Sequence, residues 1–179
     1  LTGSSGGTYA STSGLSINNN SGEVNLANST AGNYTVTYTI PPANGCPQFQ
    51  TTANITISAA PNATINYANS PYCNSGTATV TLTGNSGGSF SSTSGLSINT
   101  NSGEVNLANS TPGTYTVTYT IAAAGGCPQF QTTASLTITA APSATINYAN
   151  SPYCNSGTAT VTLTGSSGGT YASTSGLSI

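Results

Sequence analysis

The feature that most constrains this chain is a nine-residue stretch in which polar and apolar side chains alternate without a break. In Gly113–Ile121, threonine hydroxyls occupy every second position, and tyrosine, valine and isoleucine occupy the positions between them. A β-strand places successive side chains on opposite faces, so the pattern predicts a strand with one apolar face and one hydroxyl face. These residue types also favour extended, half-buried backbone. The chain therefore contains at least one long strand that covers an apolar core.

The stretch belongs to an internal repeat, because Gly32–Ile40 carries nearly the same residues 81 positions upstream. The same spacing relates Cys46 to Cys127. A period of 81 residues is the size of a small independent domain rather than of a solenoid unit. We therefore expect a tandem array with three parts: residues 1–60, 61–141 and 142–179. The middle part is the complete repeat, the outer two are incomplete, and we expect the whole to be a segment of a longer secreted chain.

Short alternating segments separated by turns rich in Gly, Asn and Ser fill the complete repeat. Besides the long strand, the predicted strands are residues 63–67, 77–83, 89–91, 96–98, 104–107 and 129–139. No segment has the 3.6-residue periodicity of a helix. Seven short strands with a turn every few residues predict an immunoglobulin-like, Greek-key β-sandwich. The predicted fold is thus all-β, with tandem sandwiches arranged end to end because the Pro-containing joints between repeats are short.

The apolar positions of the alternating segments predict the structural core. They are Tyr115, Val117, Tyr119, Ile121, Val80, Leu82, Leu136 and Ile138. Each lies at every second position of its segment, so each group shares one face of its strand.

Ionic side chains are almost absent: the chain has no Lys, Arg or His, and its acidic residues are Glu23 and Glu104. Without cations it cannot neutralise phosphates, which excludes nucleic-acid binding. No apolar run reaches the roughly 20 residues that cross a bilayer, so we expect no membrane insertion in this segment. General acid–base catalysis needs a titratable group near the working pH, and the abundant Ser and Thr have no base to activate them. We therefore expect no enzymatic activity, no catalytic residue and no cofactor.

Two kinds of residue remain as candidate sites. Glu104 ends the turn Asn-Thr-Asn-Ser-Gly-Glu and is the candidate calcium ligand, but calcium sites gather several carboxylates and an ordinary hairpin turn is favoured. The cysteines predict disulfides, because a small exported domain with modest apolar content needs a covalent staple. They are Cys46, Cys73, Cys127 and Cys154. Their pairing stays open, either within one repeat or between successive repeats.

A resemblance to bacterial surface proteins rests on three segments, which read GLSINTNSGEVNLANSTPGTYTVTYT, SPYCNSGTATVTLTG and AAAGGCPQFQTTASLTIT. They are similar to the tandem immunoglobulin-like repeats of giant Bacteroidota adhesins, including the SprB-type gliding-motility adhesins. The resemblance implies export by the type IX pathway, a cell-surface, extracellular location, and adhesion or motility activity outside the repeats. The chain departs from many relatives in lacking both Asp and Lys.

Together these observations predict a structural repeat region, a stalk that projects an adhesive or motility-related tip. Its partners would be neighbouring repeats of the same chain, and a surface or polysaccharide ligand would bind outside this segment. Because a net charge of −2 is close to zero, self-association is also favoured. The alternative is therefore a segment of a multi-chain extracellular filament or sheath, with other copies of the chain as partners. A second alternative is direct carbohydrate binding, for which Tyr72 and Tyr153 are the candidate stacking residues.

Overall fold

The computed structural model describes residues 6–178, which form strands and turns and include no helix long and apolar enough to cross a membrane. The strands are β1 Thr8–Ser11, β2 Gly32–Ile40, β3 Phe49–Ile57, β4 Ala63–Asn66, β5 Tyr72–Cys73, β6 Thr77–Ala78, β7 Thr81–Gly84, β8 Ser89–Ser92, β9 Ser97–Ile98, β10 Val105–Asn106, β11 Gly113–Ile121, β12 Phe130–Thr139, β13 Ala144–Asn147 and β14 Thr162–Gly165. The prediction of an all-β chain is confirmed, and the sheets are those of a β-sandwich.

Contacts divide the chain into two compact units, each assembled from separate stretches of sequence. The first unit consists of residues 6–65, Leu82–Ser89 and Tyr119–Thr132, and the second consists of Asn66–Thr81, Phe90–Thr118 and residues 133–178. The division into parts 1–60, 61–141 and 142–179, and their end-to-end arrangement, stay predictions.

In the first unit, β1, β2 and β3 form a three-stranded antiparallel sheet with β2 in the middle. Tyr34 and Tyr38 of β2 are buried, while the threonines between and beside them are exposed or half-buried. The alternation in Gly32–Ile40 thus produces the two-faced strand that it predicts. Among residues 6–178, β3 pairs with β2 and lies at the edge of this sheet.

The strands of residues 63–139 have the order of an immunoglobulin fold. β4 pairs with β7, β6 pairs with β10 and β10 with β9, while the other sheet has the order β5-β12-β11-β8. Immunoglobulin domains place strands A, B, E and D in one sheet and C, F and G in the other. In chain order, β6, β10 and β9 correspond to B, E and D, and β8, β11 and β12 correspond to C, F and G, while β4 and β7 form a separate two-stranded sheet. The hairpin predicted around residues 99–103 is confirmed by the β9–β10 pair.

Two details of the complete repeat differ from the expectation. Residues 77–83 form two strands rather than one, because β6 pairs with β10 whereas β7 pairs with β4, and the ladder is interrupted where the partner changes. Residues 69–76 belong to the turn segments, rich in Gly, Asn and Ser, that separate the predicted strands. They contain β5, which pairs in parallel with the end of β12.

The core of the second unit contains buried side chains from β6, β8, β10, β11 and β12. Its buried apolar residues are Tyr67, Ala78, Phe90, Val105, Leu107, Tyr115, Val117, Leu136 and Ile138. Of the predicted core, Tyr115, Val117, Tyr119, Leu136 and Ile138 are buried, while Val80, Leu82 and Ile121 are half-buried. Val80 lies in the interruption between β6 and β7, Leu82 is the second residue of β7, and Ile121 is the last residue of β11.

A tyrosine near the start of β11 closes the connection that leads into it. The Tyr115 hydroxyl donates to the carbonyl oxygen of Thr111, four residues upstream, at 2.6 Å. The equivalent Tyr34 hydroxyl donates to the Thr30 carbonyl at 2.7 Å. This is the tyrosine corner of immunoglobulin-like sandwiches, in which a strand F tyrosine fixes the preceding corner. Both copies of the repeat therefore form the same local structure from the same residues.

Candidate functional site

The parallel pair of β5 and β12 joins an early strand of the complete repeat to its last strand. Ile138 lies opposite Tyr72, and Thr139 lies opposite Cys73. Ile138 is buried, which fixes the end of β12 on the core. The hydroxyl-bearing face of β12 remains free for polar contacts because its side chains alternate. We call residues 70–74 together with residues 137–141 the parallel clamp.

Hydrogen bonds extend the parallel clamp beyond its two-residue ladder. The Thr137 N–H donates to the Ser70 hydroxyl at 2.9 Å, and the Thr139 hydroxyl donates to the Tyr72 carbonyl at 3.1 Å. Asn74 makes two of these bonds. Its N–H donates to the Thr139 carbonyl at 3.0 Å, and its side-chain oxygen accepts the N–H of Ala141 at 3.0 Å. Every contact keeps nearly the same sequence offset, so the two segments are joined in one continuous register.

The parallel pairing of β5 with β12 determines how tension along the repeat would load the hydrogen bonds between them. Tension that draws the two ends of the repeat apart moves β5 and β12 in opposite directions along their lengths. All hydrogen bonds of the clamp are then loaded together in shear, rather than being broken one after another as when a hairpin is peeled open. The parallel clamp is therefore an arrangement that tension along the repeat would load in shear.

A buried tyrosine forms a hydrogen bond between distant segments inside the second unit. The Tyr67 hydroxyl donates to the carbonyl oxygen of Gly103 at 2.5 Å, across 36 residues of sequence. Burial, and secondarily the neighbouring Tyr72, raises the pKa of Tyr67 from 10.0 to about 12. Ionisation of Tyr67 would remove this donor and place a charge in the core.

The raised pKa predicts an alkaline loss of stability. The folded state holds the Tyr67 proton more tightly than the unfolded chain, so the stabilisation is present below pH 10 and is lost as the pH rises towards about 12. We expect the free energy of unfolding to fall by about 1–2 kcal/mol over this interval, and by less in Tyr67→Phe. Urea unfolding followed by circular dichroism measures both slopes. Tyr148→Phe, which changes the exposed equivalent tyrosine, is the control and should retain the wild-type slope; equal slopes in all three proteins would contradict the prediction.

The four predicted disulfide cysteines are free thiols in the structure. Cys73 lies in β5, opposite Thr139. The Cys127 sulfur lies 3.5 Å from the Ala59 carbonyl oxygen and 3.9 Å from that of Ser58. Cys46 and Cys154 are exposed. The disulfides and their pairing stay predictions.

The candidate calcium loop folds as a tight turn. The Asn99 side-chain oxygen accepts the N–H groups of Asn101 and Ser102 at 2.9 and 3.1 Å, and the Ser102 hydroxyl accepts the Glu104 N–H at 3.3 Å. Two of the side-chain oxygens that a cation would need are therefore turned towards the loop's own backbone. Among residues 6–178, no three His, Cys, Asp or Glu side chains gather into a group that would hold a metal ion. Calcium binding at Glu104 stays a prediction.

The sequence did not predict most members of the parallel clamp, nor the hydrogen bond from Tyr67 to Gly103. Ser70 and Asn74 occur in a stretch of Asn, Ser, Pro and Gly that is typical of turns. Nothing in a single copy of the repeat links this stretch to residues 137–141, which follow 67 positions later. The candidate sugar-binding residue Tyr72 is half-buried within the clamp, whereas Tyr153 is exposed.

A comparison of the chain with protein-family models found no match, and a comparison with characterised proteins found none either. The resemblance to surface-adhesin repeats therefore stays a prediction from the sequence.

Proposed function

We propose that this chain is a load-bearing spacer, the structural repeat region of a large secreted bacterial surface adhesin whose adhesive or motility-related tip lies elsewhere. The observation that supports the proposal is the parallel clamp, because its hydrogen bonds share one register and extension would load them together in shear. A spacer needs mechanical strength in each repeat and little chemistry. The near absence of charged side chains agrees with that requirement.

The surface of the chain is consistent with an extracellular role. Exposed strand positions are mainly Thr, Ser and Asn, which hydrate without charge. A chain without Lys or Arg offers no cleavage site to proteases that require a basic residue. The extracellular location and the adhesin context rest on the sequence resemblance described above.

Single-molecule force spectroscopy of the full chain, held through added end handles, tests the spacer role. Unfolding of the complete repeat should appear as a discrete force peak. It should release at most about 290 Å of contour length for the 81 residues of the repeat, before the folded length is subtracted. A chain that extends at low force without such a peak would contradict the proposal.

The clamp makes a specific prediction in the same experiment. Ser70→Ala with Asn74→Ala removes two side-chain hydrogen bonds at about 1 kcal/mol each, which should raise the forced unfolding rate roughly 30-fold. The matched control changes the equivalent Ser151 and Asn155, which are exposed and outside any strand. The control should leave the force peak unchanged. Equal weakening by both pairs of substitutions would show that the clamp is not the load-bearing element.

A further inference from the structure

Cys127 ends a tight turn that holds its thiol against residues following β3, the last strand of the preceding copy of the repeat. Ala124 and Cys127 form an antiparallel bridge around two glycines, residues 125–126, whose φ angles are 58° and 80°. Positive φ at both central residues is characteristic of a type I′ turn, which fixes the flanking residues. The Cys127 sulfur lies 3.5 Å from the Ala59 carbonyl oxygen and 3.9 Å from that of Ser58. All of these residues belong to the first compact unit.

Cys73 lies beside the equivalent residues of its own repeat. Ser58 corresponds, 81 positions later, to Thr139. Cys73 pairs in parallel with Thr139, and the N–H of the next residue, Asn74, donates to the Thr139 carbonyl at 3.0 Å. Two cysteine positions therefore approach the same short segment at the end of the last strand. The Cys73 position approaches it from within its own repeat, and the Cys127 position approaches it from the repeat that follows.

The length of β12 prevents a disulfide between Cys73 and Cys127 of the same repeat. Cys73 lies opposite Thr139, the last residue of this 10-residue strand, whereas Cys127 precedes its first residue, Phe130. A strand rises about 3.3 Å per residue, so the two ends of β12 are about 30 Å apart. The three residues from Cys127 to Phe130 span at most about 11 Å. The two cysteines therefore cannot reach the Cα separation of at most about 7 Å that a disulfide requires.

We propose that, in a tandem array, Cys73 forms a disulfide with the cysteine at the Cys127 position of the following repeat. By the same rule, Cys127 pairs with the cysteine at the Cys73 position of the repeat before it. The two thiols lose two protons and two electrons to form one S–S bond, and a small-molecule disulfide such as oxidised glutathione accepts them and is released as two thiols. The bond joins the parallel clamp of one repeat to the turn at residues 124–127 of the next.

The spacing of the cysteines makes this rule the same at every joint. Cys46 and Cys127 are 81 positions apart, as are Cys73 and Cys154. Each repeat therefore contributes one cysteine to the joint before it and one to the joint after it, and no cysteine inside an array is left over. Successive repeats are then held at two points, the short Pro-containing joint and the disulfide, which restrains bending between them.

Oxidation of the full 179-residue chain is the first test, because none of its four cysteines has its proposed partner within this sequence. The dilute, folded chain is treated with oxidised glutathione, unfolded in acid and weighed by intact mass spectrometry. We expect glutathione adducts or free thiols on all four cysteines and no internal disulfide. A dominant internal link between Cys73 and Cys127 would overturn the proposal.

A longer array supplies the proposed pair. Leu163–Ile179 repeats Leu1–Ile17 without change, so residues 1–162 followed by residues 1–179 continue the repeat without a break. One version of this array keeps only Cys73 of the first segment and Cys46 of the second, which occupies the Cys127 position of the following repeat. The matched control keeps only Cys73 and Cys127 of the first segment, which belong to one repeat. Every other cysteine in both versions is replaced by Ser.

The number of glutathione adducts distinguishes the two versions after the same oxidation. We expect the between-repeat version to form an internal disulfide and lose both reactive thiols, and the within-repeat control to take up glutathione on both. Circular dichroism of the reduced arrays verifies that both are folded. Equal uptake by the two versions, or an internal link in the control, would overturn the proposal.

The inference requires a tandem array but not the load-bearing role. Repeats that are linked by disulfides but unfold at low force would leave the disulfide standing and overturn the spacer role. Repeats that resist force without such a link would do the reverse.

Discussion

Replacing Leu107 by alanine is expected to lower the free energy of unfolding by about 3 kcal/mol, whereas the same change at Leu26 should cost less than about 0.5 kcal/mol. The two leucines hold the same position in the repeat and stand within the same local sequence, Asn-Leu-Ala-Asn-Ser. Their surroundings differ, since Leu107 is 2% exposed and Leu26 is 63% exposed. Truncation at Leu107 removes buried methyl groups and leaves a cavity, and truncation at Leu26 does neither.

Chemical denaturation of the full chain measures both effects. The two residues lie in different compact units, so the data need two transitions rather than one. A cost at Leu26 as large as that at Leu107 would contradict the exposed position of Leu26.

Local alternation predicted the long strands well. β11 begins and ends where the alternating pattern of Gly113–Ile121 does, and β12 starts one residue from its expected beginning. Such strands can be predicted because each side chain's direction follows from its own position in the sequence. The hairpin between β9 and β10 was predictable for a similar reason, as its turn residues lie between two short apolar segments.

The parallel clamp and much of the core could not be predicted in the same way. β5 has two residues and Val105 lies in a strand of two, so neither offers enough alternation to reveal its buried face. Leu107, Phe90 and Tyr67 are buried although none was among the predicted core residues. Their burial depends on strands that are distant in sequence, and a single-sequence pattern contains no information on which edges meet.

Equivalent residues in different copies of the repeat show which features depend on local sequence and which depend on distant neighbours. Tyr34 and Tyr115 form the same corner in two copies, because each hydroxyl donates to a carbonyl oxygen only four residues upstream. Ile65 and Ile146 share a local sequence and a strand pairing but differ in burial, so the local sequence does not determine whether this side chain is covered. Local geometry here follows from sequence alone, whereas burial follows from neighbours.

Gly88→Ala is expected to destabilise the protein by about 3 kcal/mol, although alanine is the smallest possible change at this position. The Gly88 N–H donates to the Tyr119 hydroxyl at 2.8 Å, which brings the backbone against the tyrosine ring. A Cβ at Gly88 would lie 2.4 Å from the Thr120 carbonyl oxygen and 2.7 Å from Cζ of Tyr119. One neighbour is backbone within β11 and the other is a buried ring, so neither can move away without loss of ladder or core contacts.

The chain contains a matched control for this substitution. Gly169 is the equivalent residue in the third copy of the repeat, and a Cβ there would have nothing within 4 Å. Gly169→Ala should therefore change the free energy of unfolding by less than about 0.5 kcal/mol, with a small gain from reduced freedom of the unfolded chain. Thermal and urea unfolding of both variants measure the difference. If Gly88→Ala proved as mild as Gly169→Ala, the close approach of the Gly88 backbone to Tyr119 would be refuted, because no other feature of that position resists a methyl group.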